Sequence, residues 1–251
     1  MEPPTPLACS WPLPTQFPAL SGSAVHVWCV LLDVPESAVG EAFGVLSAEE
    51  RIEAERFRTD ELRRRFVVRR ARLRELLARY LEASPRAVCF DRGAFGKPAL
   101  AAPWSGSRLQ FSTSDSADVG LVAVAIDIAL GIDVERIRLI PDLEDMVRRF
   151  FAAGEKEALG RLPESGRLEA FFHGWSRKEA LLKALGTGLS LGLDRVVVSL
   201  TPDDPRILAV EGSPESAGRW HLDDLYPAAG FAAALARPAG PHRLECFRCP
   251  R

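Results

Sequence analysis

Residues 131–136 read GIDVER and follow directly on a long apolar run, which predicts a buried strand that ends in charged residues. Asp133 and Glu135 lie two residues apart, and side chains at that spacing on a strand project from the same face. Two neighbouring carboxylates repel one another unless a cation lies between them, and Mg²⁺ prefers oxygen ligands of this kind. The motif therefore indicates either a magnesium site or, more simply, a strand end that enters solvent with two acidic residues.

Residues 175–190 read WSRKEALLKALGTGLS, which predicts a helix that ends near Gly186. Glu179 and Lys183 are i,i+4 neighbours, so their side chains lie on one face of that helix. One interpretation is an ordinary amphipathic helix with a single surface ion pair. The other is that Glu179 supplies a third carboxylate to the metal site and Lys183 binds a phosphate.

Two shorter motifs precede these segments. Residues 95–100 read FGKPAL and place Lys97 in a turn, while residues 111–116 read FSTSDS and end a predicted strand. Hydroxyl groups and main-chain N–H groups at such a strand end are suited to bind an anion. A lysine between glycine and proline is ordinarily a surface turn residue, so neither motif is specific alone.

The hydrophobic pattern divides the chain into helices and strands that do not alternate strictly, which favours an α+β fold over a doubly wound sheet. Helices are predicted at 48–57, 60–82, 142–151, 155–160 and 167–185. Strands are predicted at 24–34, 87–91, 108–113, 118–130, 131–137, 194–201, 206–210, 218–226, 229–236 and 242–248. Six prolines within residues 3–18 predict an irregular lead-in over residues 1–22.

The composition excludes several classes of protein. The 251 residues carry 32 basic and 34 acidic side chains, a formal net charge of −2, so we expect neither nucleic acid nor a membrane surface as a partner. Five cysteines are an odd number and do not make a disulfide framework. The longest apolar run, 121–132, is too short to span a bilayer, and the N-terminus lacks a secretory signal, so we expect a cytoplasmic protein.

The four motifs together are far more specific than any one of them. In chain order they are G-K-P, F-x-x-S-x-S, G-I-D-V-E and W-x-x-K-E-A-x-x-K-x-x-G-x-G-L, and they include three of the four lysines. Their order and spacing resemble the 4'-phosphopantetheinyl transferases of the type that activates surfactin synthetase. The resemblance extends over roughly residues 45–200, which is more than half of the chain.

This resemblance implies a pseudo-dimer of two similar α+β halves, with coenzyme A bound in the cleft between them. The halves would be residues 23–130 and 131–251, the second half would carry the metal and catalytic motifs, and the monomer would contain a complete site. Enzymes of this family transfer the 4'-phosphopantetheine arm of coenzyme A to a serine of an apo acyl or peptidyl carrier protein. The other product is adenosine 3',5'-bisphosphate.

The same resemblance implies roles for individual residues. The Mg²⁺ ligands would be Asp133, Glu135 and Glu179. The catalytic residues would be Glu179, which helps to deprotonate the carrier serine, Lys183 at the diphosphate, and Lys178 near the attacking oxygen. The contacts to coenzyme A would be Arg65, Lys97, Ser114, Asp115 and Lys183.

Some positions depart from the family pattern. Asp115 stands where the family commonly has histidine, and Glu50 and Glu53 stand where it often has lysine. A carboxylate that faces phosphate repels it, so we predict weakened coenzyme A binding, and Asp115→His is predicted to lower the KM for coenzyme A roughly tenfold. The departures leave open a non-catalytic relative that binds coenzyme A or carrier proteins without transfer, although the complete set of metal and phosphate residues favours the enzyme.

Overall fold

The computed structural model describes residues 11–93, 96–202 and 204–250. In this part of the chain the helices are α1 (Glu36–Val45), α2 (Ala48–Glu55), α3 (Asp60–Tyr80), α4 (Leu143–Phe150), α5 (Ala153–Arg161), α6 (Glu164–Leu185) and α7 (Pro214–Ala217). The strands are β1 (Ala24–Leu31), β2 (Phe90–Arg92), β3 (Pro98–Leu100), β4 (Leu109–Ser116), β5 (Val119–Ile126), β6 (Gly131–Arg136), β7 (Val196–Val198), β8 (Ile207–Val210), β9 (Trp220–Leu225), β10 (Phe231–Pro238) and β11 (Arg243–Arg248). The predicted α+β class is confirmed.

The two main sheets repeat one arrangement. The first has the strand order β11-β1-β5-β4 and the second has the order β6-β10-β9, so β1-β5-β4 corresponds to β6-β10-β9. In both, a long helix follows the first strand, α3 after β1 and α6 after β6. The chain therefore contains two similar α+β units, as the predicted pseudo-dimer requires.

The two sheets pack face to face between the two long helices. A central apolar cluster joins one face of each sheet, with Val27 and Leu121 from the first sheet against Ile132 and Leu235 from the second. A second cluster lies between the first sheet and α3, and a third lies between the second sheet and α6. Burial of both faces of each sheet explains why so many strand residues are apolar.

Helix α6 approaches the second sheet very closely at Gly131. A Cβ atom at this position would lie 2.0 Å from the carbonyl oxygen of Ala180 and 2.4 Å from the main-chain nitrogen of Ala184. The α6-facing side chains of β10 are also small, because Ala232 and Ala234 point into the same cluster. This close approach brings the charged end of β6 next to α6.

Local signals explain both the agreements and the differences from the predicted elements. The capping box before α2 is present, since Glu50 N–H donates to Ser47 Oγ and Ser47 N–H donates to the Glu50 carboxylate. Helix α1 is absent from the sequence prediction, because its ESAVGEAFGV stretch is short and contains two glycines. The strand predicted over 118–130 instead ends at Ile126, where Asp127 turns the chain with a φ of 54°.

Each end of the chain contacts the half that is distant from it in sequence. Strand β11 pairs in parallel with β1, so the last strand completes the first sheet although it follows the second. Residues 11–22 contain no helix or strand, as the predicted lead-in implies, yet Phe17 stacks on Trp28 and Trp11 Nε1 donates to the carbonyl of Tyr226 at 2.8 Å. The remainder of the lead-in, residues 1–10, lies outside the described residues, as do residues 94–95 of the predicted turn before Lys97.

No helix among the described residues has both the length and the apolar character that a membrane crossing needs.

Candidate active site

Strand β6 carries the two carboxylates of the GIDVER motif at the boundary between the two sheets. Ile132 and Val134 point into the central apolar cluster, so Asp133 and Glu135 point to the opposite face, toward α6. Asp133 is only 4% exposed. The alternation expected of a strand therefore delivers both carboxylates to one face next to the long helix.

Lys183 of α6 contacts this strand directly. Its Nζ donates to Asp133 Oδ1 at 2.7 Å, to the carbonyl of Ile132 at 3.1 Å and to Ser114 Oγ at 3.1 Å. All three ammonium hydrogens thus have acceptors, and the ammonium group compensates the charge of the buried Asp133.

Glu179 lies one helical turn before Lys183 and completes a group of three interacting carboxyl groups. Burial raises the pKa of Glu179, and the negative charge of Asp133 raises it further, while Lys183 lowers it. Burial also raises the pKa of Glu135, again with Asp133 adding to the effect. The three carboxyl groups are therefore close enough to repel one another.

The chemistry of this group fits a hard cation. Asp133 Oδ2 is buried and has no hydrogen-bond partner within the described part of the chain, which is costly unless something positive reaches it. The side chains are nonetheless not gathered around a common point, because within the described residues no three His, Cys, Asp or Glu side chains are arranged to hold a metal ion. Asp133, Glu135 and Glu179 supply the oxygen atoms that Mg²⁺ prefers, and their role as its ligands stays a prediction.

A cavity of about 260 Å³ opens beside these groups, between the two halves of the chain. Its walls include Lys97, Phe111 and Ser112 from the first half and Glu179, Lys183 and Gly186 from the second. Lys97 Nζ donates to the carbonyls of Leu130 and Lys183, both at 2.9 Å, and so ties the two halves together. Burial, with the nearby charge of Lys183, lowers the pKa of Lys97.

Lys178 does not reach this cleft, although the motif predicts a catalytic role for it. The side chain is fully buried on another face of α6, where its Nζ contacts Glu155 Oε2 at 2.6 Å and donates to the carbonyls of Leu193 and Val196. Burial lowers its pKa, against the attraction of Glu155. The reason is helical geometry, since consecutive residues point about 100° apart and Lys178 cannot share the face of Glu179.

Arg65 is also engaged elsewhere. Its guanidinium forms a bidentate pair with Asp33, with both N···O distances 2.8 Å, and a further ion pair with Glu61 at 2.6 Å. The structure does not bring Arg65 to the carboxylates of β6, because α3 packs on the far face of the first sheet. The predicted contact of Arg65 with coenzyme A stays a prediction.

Asp115 meets an arginine. Thr113 and Asp115 occupy the face of β4 that looks toward α3, where the Asp115 carboxylate forms an ion pair with Arg69. A hollow of about 140 Å³ beside this pair is lined by Arg69, Arg70 and Ser114, among others. The repulsive charge predicted at Asp115 is therefore largely neutralised by Arg69.

Glu50 is likewise neutralised. Its carboxylate caps α2 and forms ion pairs with Arg70 at 2.8 Å and Arg74 at 2.7 Å, all of which are buried or half-buried. The acidic residue at this position thus stabilises the contact between α2 and α3.

Ser112 and Ser116 contact the site residues of β6, although the sequence pattern predicted only that the hydroxyl groups of FSTSDS bind an anion. Ser112 Oγ accepts from the N–H of Ile132 at 3.2 Å, and Ser116 Oγ donates to Glu135 Oε2 at 2.9 Å. Ser114, predicted to contact coenzyme A, donates to Asp133 Oδ1 at 2.8 Å. The signal was present in the sequence, because FSTSDS places a serine at every second residue of a strand.

Comparison with known proteins identifies relatives of this chain. The sequence model of the 4'-phosphopantetheinyl transferase superfamily matches residues 129–236. The chain is 38% identical over 225 residues to the 4'-phosphopantetheinyl transferase HetI of Nostoc sp., covering 90% of this chain and 92% of that protein. It is 31% identical over 206 residues to the 4'-phosphopantetheinyl transferase psf-1 of Bacillus pumilus, covering 81% and 84%. A solved holo-(acyl-carrier-protein) synthase of Bacillus anthracis, in complex with coenzyme A (3',5'-ADP), is similar at 22% identity with a TM-score of 0.37, over 44% of this chain and 96% of that one.

Proposed function

The chain belongs to the 4'-phosphopantetheinyl transferase superfamily, and on that premise we propose a Mg²⁺-dependent enzyme that transfers the 4'-phosphopantetheine arm of coenzyme A to a serine of an apo acyl or peptidyl carrier protein. The observation that carries the proposal is the group formed by Asp133, Glu135, Glu179 and Lys183, of which Glu179 and Lys183 line the cavity between the two halves. Three carboxyl groups and one ammonium group in a half-buried cleft suit a reaction at a diphosphate.

The balance of the reaction defines what these residues must do. The serine oxygen of the carrier attacks the phosphorus attached to pantetheine, the P–O bond of the diphosphate breaks, and adenosine 3',5'-bisphosphate leaves. The serine hydroxyl loses its proton in this step. Glu179 lies at the cavity wall with a pKa raised by burial and by Asp133, which suits a group that accepts this proton directly or through water.

Mg²⁺ held by Asp133, Glu135 and Glu179 would neutralise charge on the diphosphate as its bond breaks. Lys183 lines the same cavity, and its ammonium group would bind a diphosphate oxygen in exchange for one of its three present acceptors. Lys97 comes from the other half and adds a second ammonium group to the same cavity.

We further propose that the enzyme is of the surfactin-synthetase-activating type and acts as a monomer, with halves at residues 23–130 and 131–251. Two similar halves in one chain support this, because the cavity draws walls from both of them. The return of β11 to the first sheet makes the two halves one folded unit.

Incubation with labelled coenzyme A, Mg²⁺ and a panel of apo carrier proteins tests the activity. Glu179→Gln keeps the size of the side chain and removes its charge, so we expect it to abolish transfer with little change in melting temperature. Glu169→Gln is the matched control, since Glu169 is an exposed residue of the same helix, ten residues away from Glu179 and outside the cleft.

Two outcomes would contradict the proposal. Transfer at a near wild-type rate by Glu179→Gln, or in the presence of a chelator, would exclude the three-carboxylate magnesium site. Coenzyme A binding by the wild-type chain without transfer to any carrier would instead favour the non-catalytic relative.

A further inference from the structure

We propose that three alternate serines of β4, namely Ser112, Ser114 and Ser116, position the carboxylates of β6 for the metal ion. This set, the serine seam, lies where the outer strand of the first sheet meets the outer strand of the second. The proposal rests on the magnesium site proposed above and adds the residues that orient it. They are positioning residues, because they act through Asp133 and Glu135.

The serine seam replaces the main-chain pairing that β6 lacks on its outer edge. Among the described residues, β6 pairs with β10 on one side only, and β4 pairs with β5 on one side only. Between the two open edges, Ile132 N–H donates to Ser112 Oγ at 3.2 Å and Arg136 N–H donates to Ser116 Oγ at 3.1 Å. Hydroxyl groups thus satisfy main-chain groups at both ends of the motif, which fixes where β6 lies relative to β4.

The same hydroxyl groups hold the carboxylates. Ser114 Oγ donates to Asp133 Oδ1 at 2.8 Å, and Ser116 Oγ donates to Glu135 Oε2 at 2.9 Å. Each serine has a single hydroxyl hydrogen, and each also receives a hydrogen that can only be donated to it, from Lys183 Nζ to Ser114 and from Arg136 N–H to Ser116. The hydroxyl hydrogens must therefore point at the carboxylates.

One oxygen of each carboxylate is occupied in this way, which leaves the other for a cation. Asp133 shows this directly, since Oδ1 is held by Ser114 and Lys183 whereas buried Oδ2 has no hydrogen-bond partner among the residues that the structure describes. Hydrogen bonds to the second oxygen of a ligating carboxylate orient it for the metal.

The spacing of the serines is what makes the seam possible. Side chains two apart share a face of a strand, so Ser112, Ser114 and Ser116 all look toward β6. The intervening Asp115 looks toward α3 and pairs with Arg69. A shift of β4 by one residue would turn all three serine hydroxyl groups away from β6. The two-residue spacing of the serines therefore also determines the register between β4 and β6.

The test measures Mn²⁺ binding in the presence of coenzyme A and without carrier protein, by the electron paramagnetic resonance signal of free Mn²⁺. Ser116 is the residue to change, because it lines none of the cavities described above, so its loss removes no wall of the coenzyme A cavity. We expect Ser116→Ala to weaken Mn²⁺ binding roughly 10- to 100-fold, the usual effect of losing a partner of a metal ligand. Ser116→Thr retains the hydroxyl and should restore affinity.

Two controls separate positioning from general loss of stability. Ser213→Ala removes a serine hydroxyl that accepts from Ser216 N–H at the start of α7, far along the chain from β6, and should leave Mn²⁺ affinity unchanged. Ser116→Val, a second variant without the hydroxyl but with a side chain that favours strands, should behave like Ser116→Ala. Affinity for coenzyme A, measured without a divalent cation, should be the same in all of these variants.

Asp133→Asn distinguishes failure of the serine seam from failure of the metal site. Wild-type Mn²⁺ affinity in Ser116→Ala and Ser116→Val, together with lost affinity in Asp133→Asn, would overturn the proposal and leave the magnesium site standing. Wild-type affinity in Asp133→Asn as well would overturn both, because the serines would then have no metal ligand to orient.

Discussion

Replacement of Lys178 by methionine tests whether this lysine is structural, as its burial indicates, or catalytic, as its motif suggests. The change keeps the length of the side chain and removes the ammonium group. Glu155 would then lose the partner at 2.6 Å, while the carbonyls of Leu193 and Val196 would lose their donor. Of the donors in the described residues, Glu155 would keep the N–H groups of Ala152 and Val198.

The magnitude follows from burial. Lys178 and Glu155 have side chains that are 0% and 1% exposed, and removing one partner of such a pair costs about 3–5 kcal/mol because the other charge stays buried. In a chain of this size each kcal/mol shifts the melting temperature by about 2–4 °C, so we expect a drop of roughly 6–20 °C. The double variant Lys178→Met/Glu155→Gln leaves no uncompensated charge and should recover part of the loss.

Thermal unfolding followed by circular dichroism measures the stability, and single-turnover transfer well below the melting temperature measures the chemistry. We expect the folded Lys178→Met protein to retain transfer within about tenfold of wild type, a change equivalent to about 1.4 kcal/mol in the barrier. A melting temperature equal to wild type combined with abolished transfer would refute this reasoning and return Lys178 to the catalytic group.

Three further predictions concern the close contact of Gly131 with α6, the ion pair of Asp115 with Arg69, and the stability of the fold at acidic pH. Gly131→Ala places a Cβ atom 2.0 Å from a main-chain oxygen of α6 and should lower the free energy of unfolding by at least about 1–3 kcal/mol in urea, whereas Gly154→Ala, with nothing within 4 Å, should not destabilise. Asp115→His should lower the KM for coenzyme A by less than about fivefold, because Arg69 already neutralises Asp115 and a half-exposed ion pair contributes under about 1 kcal/mol. A tenfold drop in KM would mean that the Asp115 carboxylate faces the phosphate. Burial lowers the pKa of His26 below 6.5, so on acidification the imidazole is protonated in the unfolded chain before it is protonated in the folded one. The free energy of unfolding should therefore fall as the pH drops below about 6.5. An equally steep fall of melting temperature in His26→Asn would exclude His26 as the cause.

The elements with strong local signals were predictable from the sequence. The capping box at Ser47, the long helices α3 and α6 and the strand with Asp133 and Glu135 all depend on spacings within a few residues. Helix α1 depends instead on packing against α3, so its short glycine-containing stretch carries too weak a local signal.

The periods of a strand and of a helix are local properties of the backbone, so the sequence alone shows which residues share a face of β6 or of α6. It thereby grouped Asp133 with Glu135 and Glu179 with Lys183. Tertiary packing, in contrast, selects the partner of each charged or hydroxyl side chain. Lys178 of α6 pairs with Glu155 of α5, Asp115 of β4 pairs with Arg69 of α3, and the serines of β4 reach the carboxylates of β6. These pairings join groups 19 to 46 residues apart in the sequence. Local periodicity carries no information about which distant element will supply a partner. A buried charge needs a partner, and the packing of the sheets and helices determines which group is within reach.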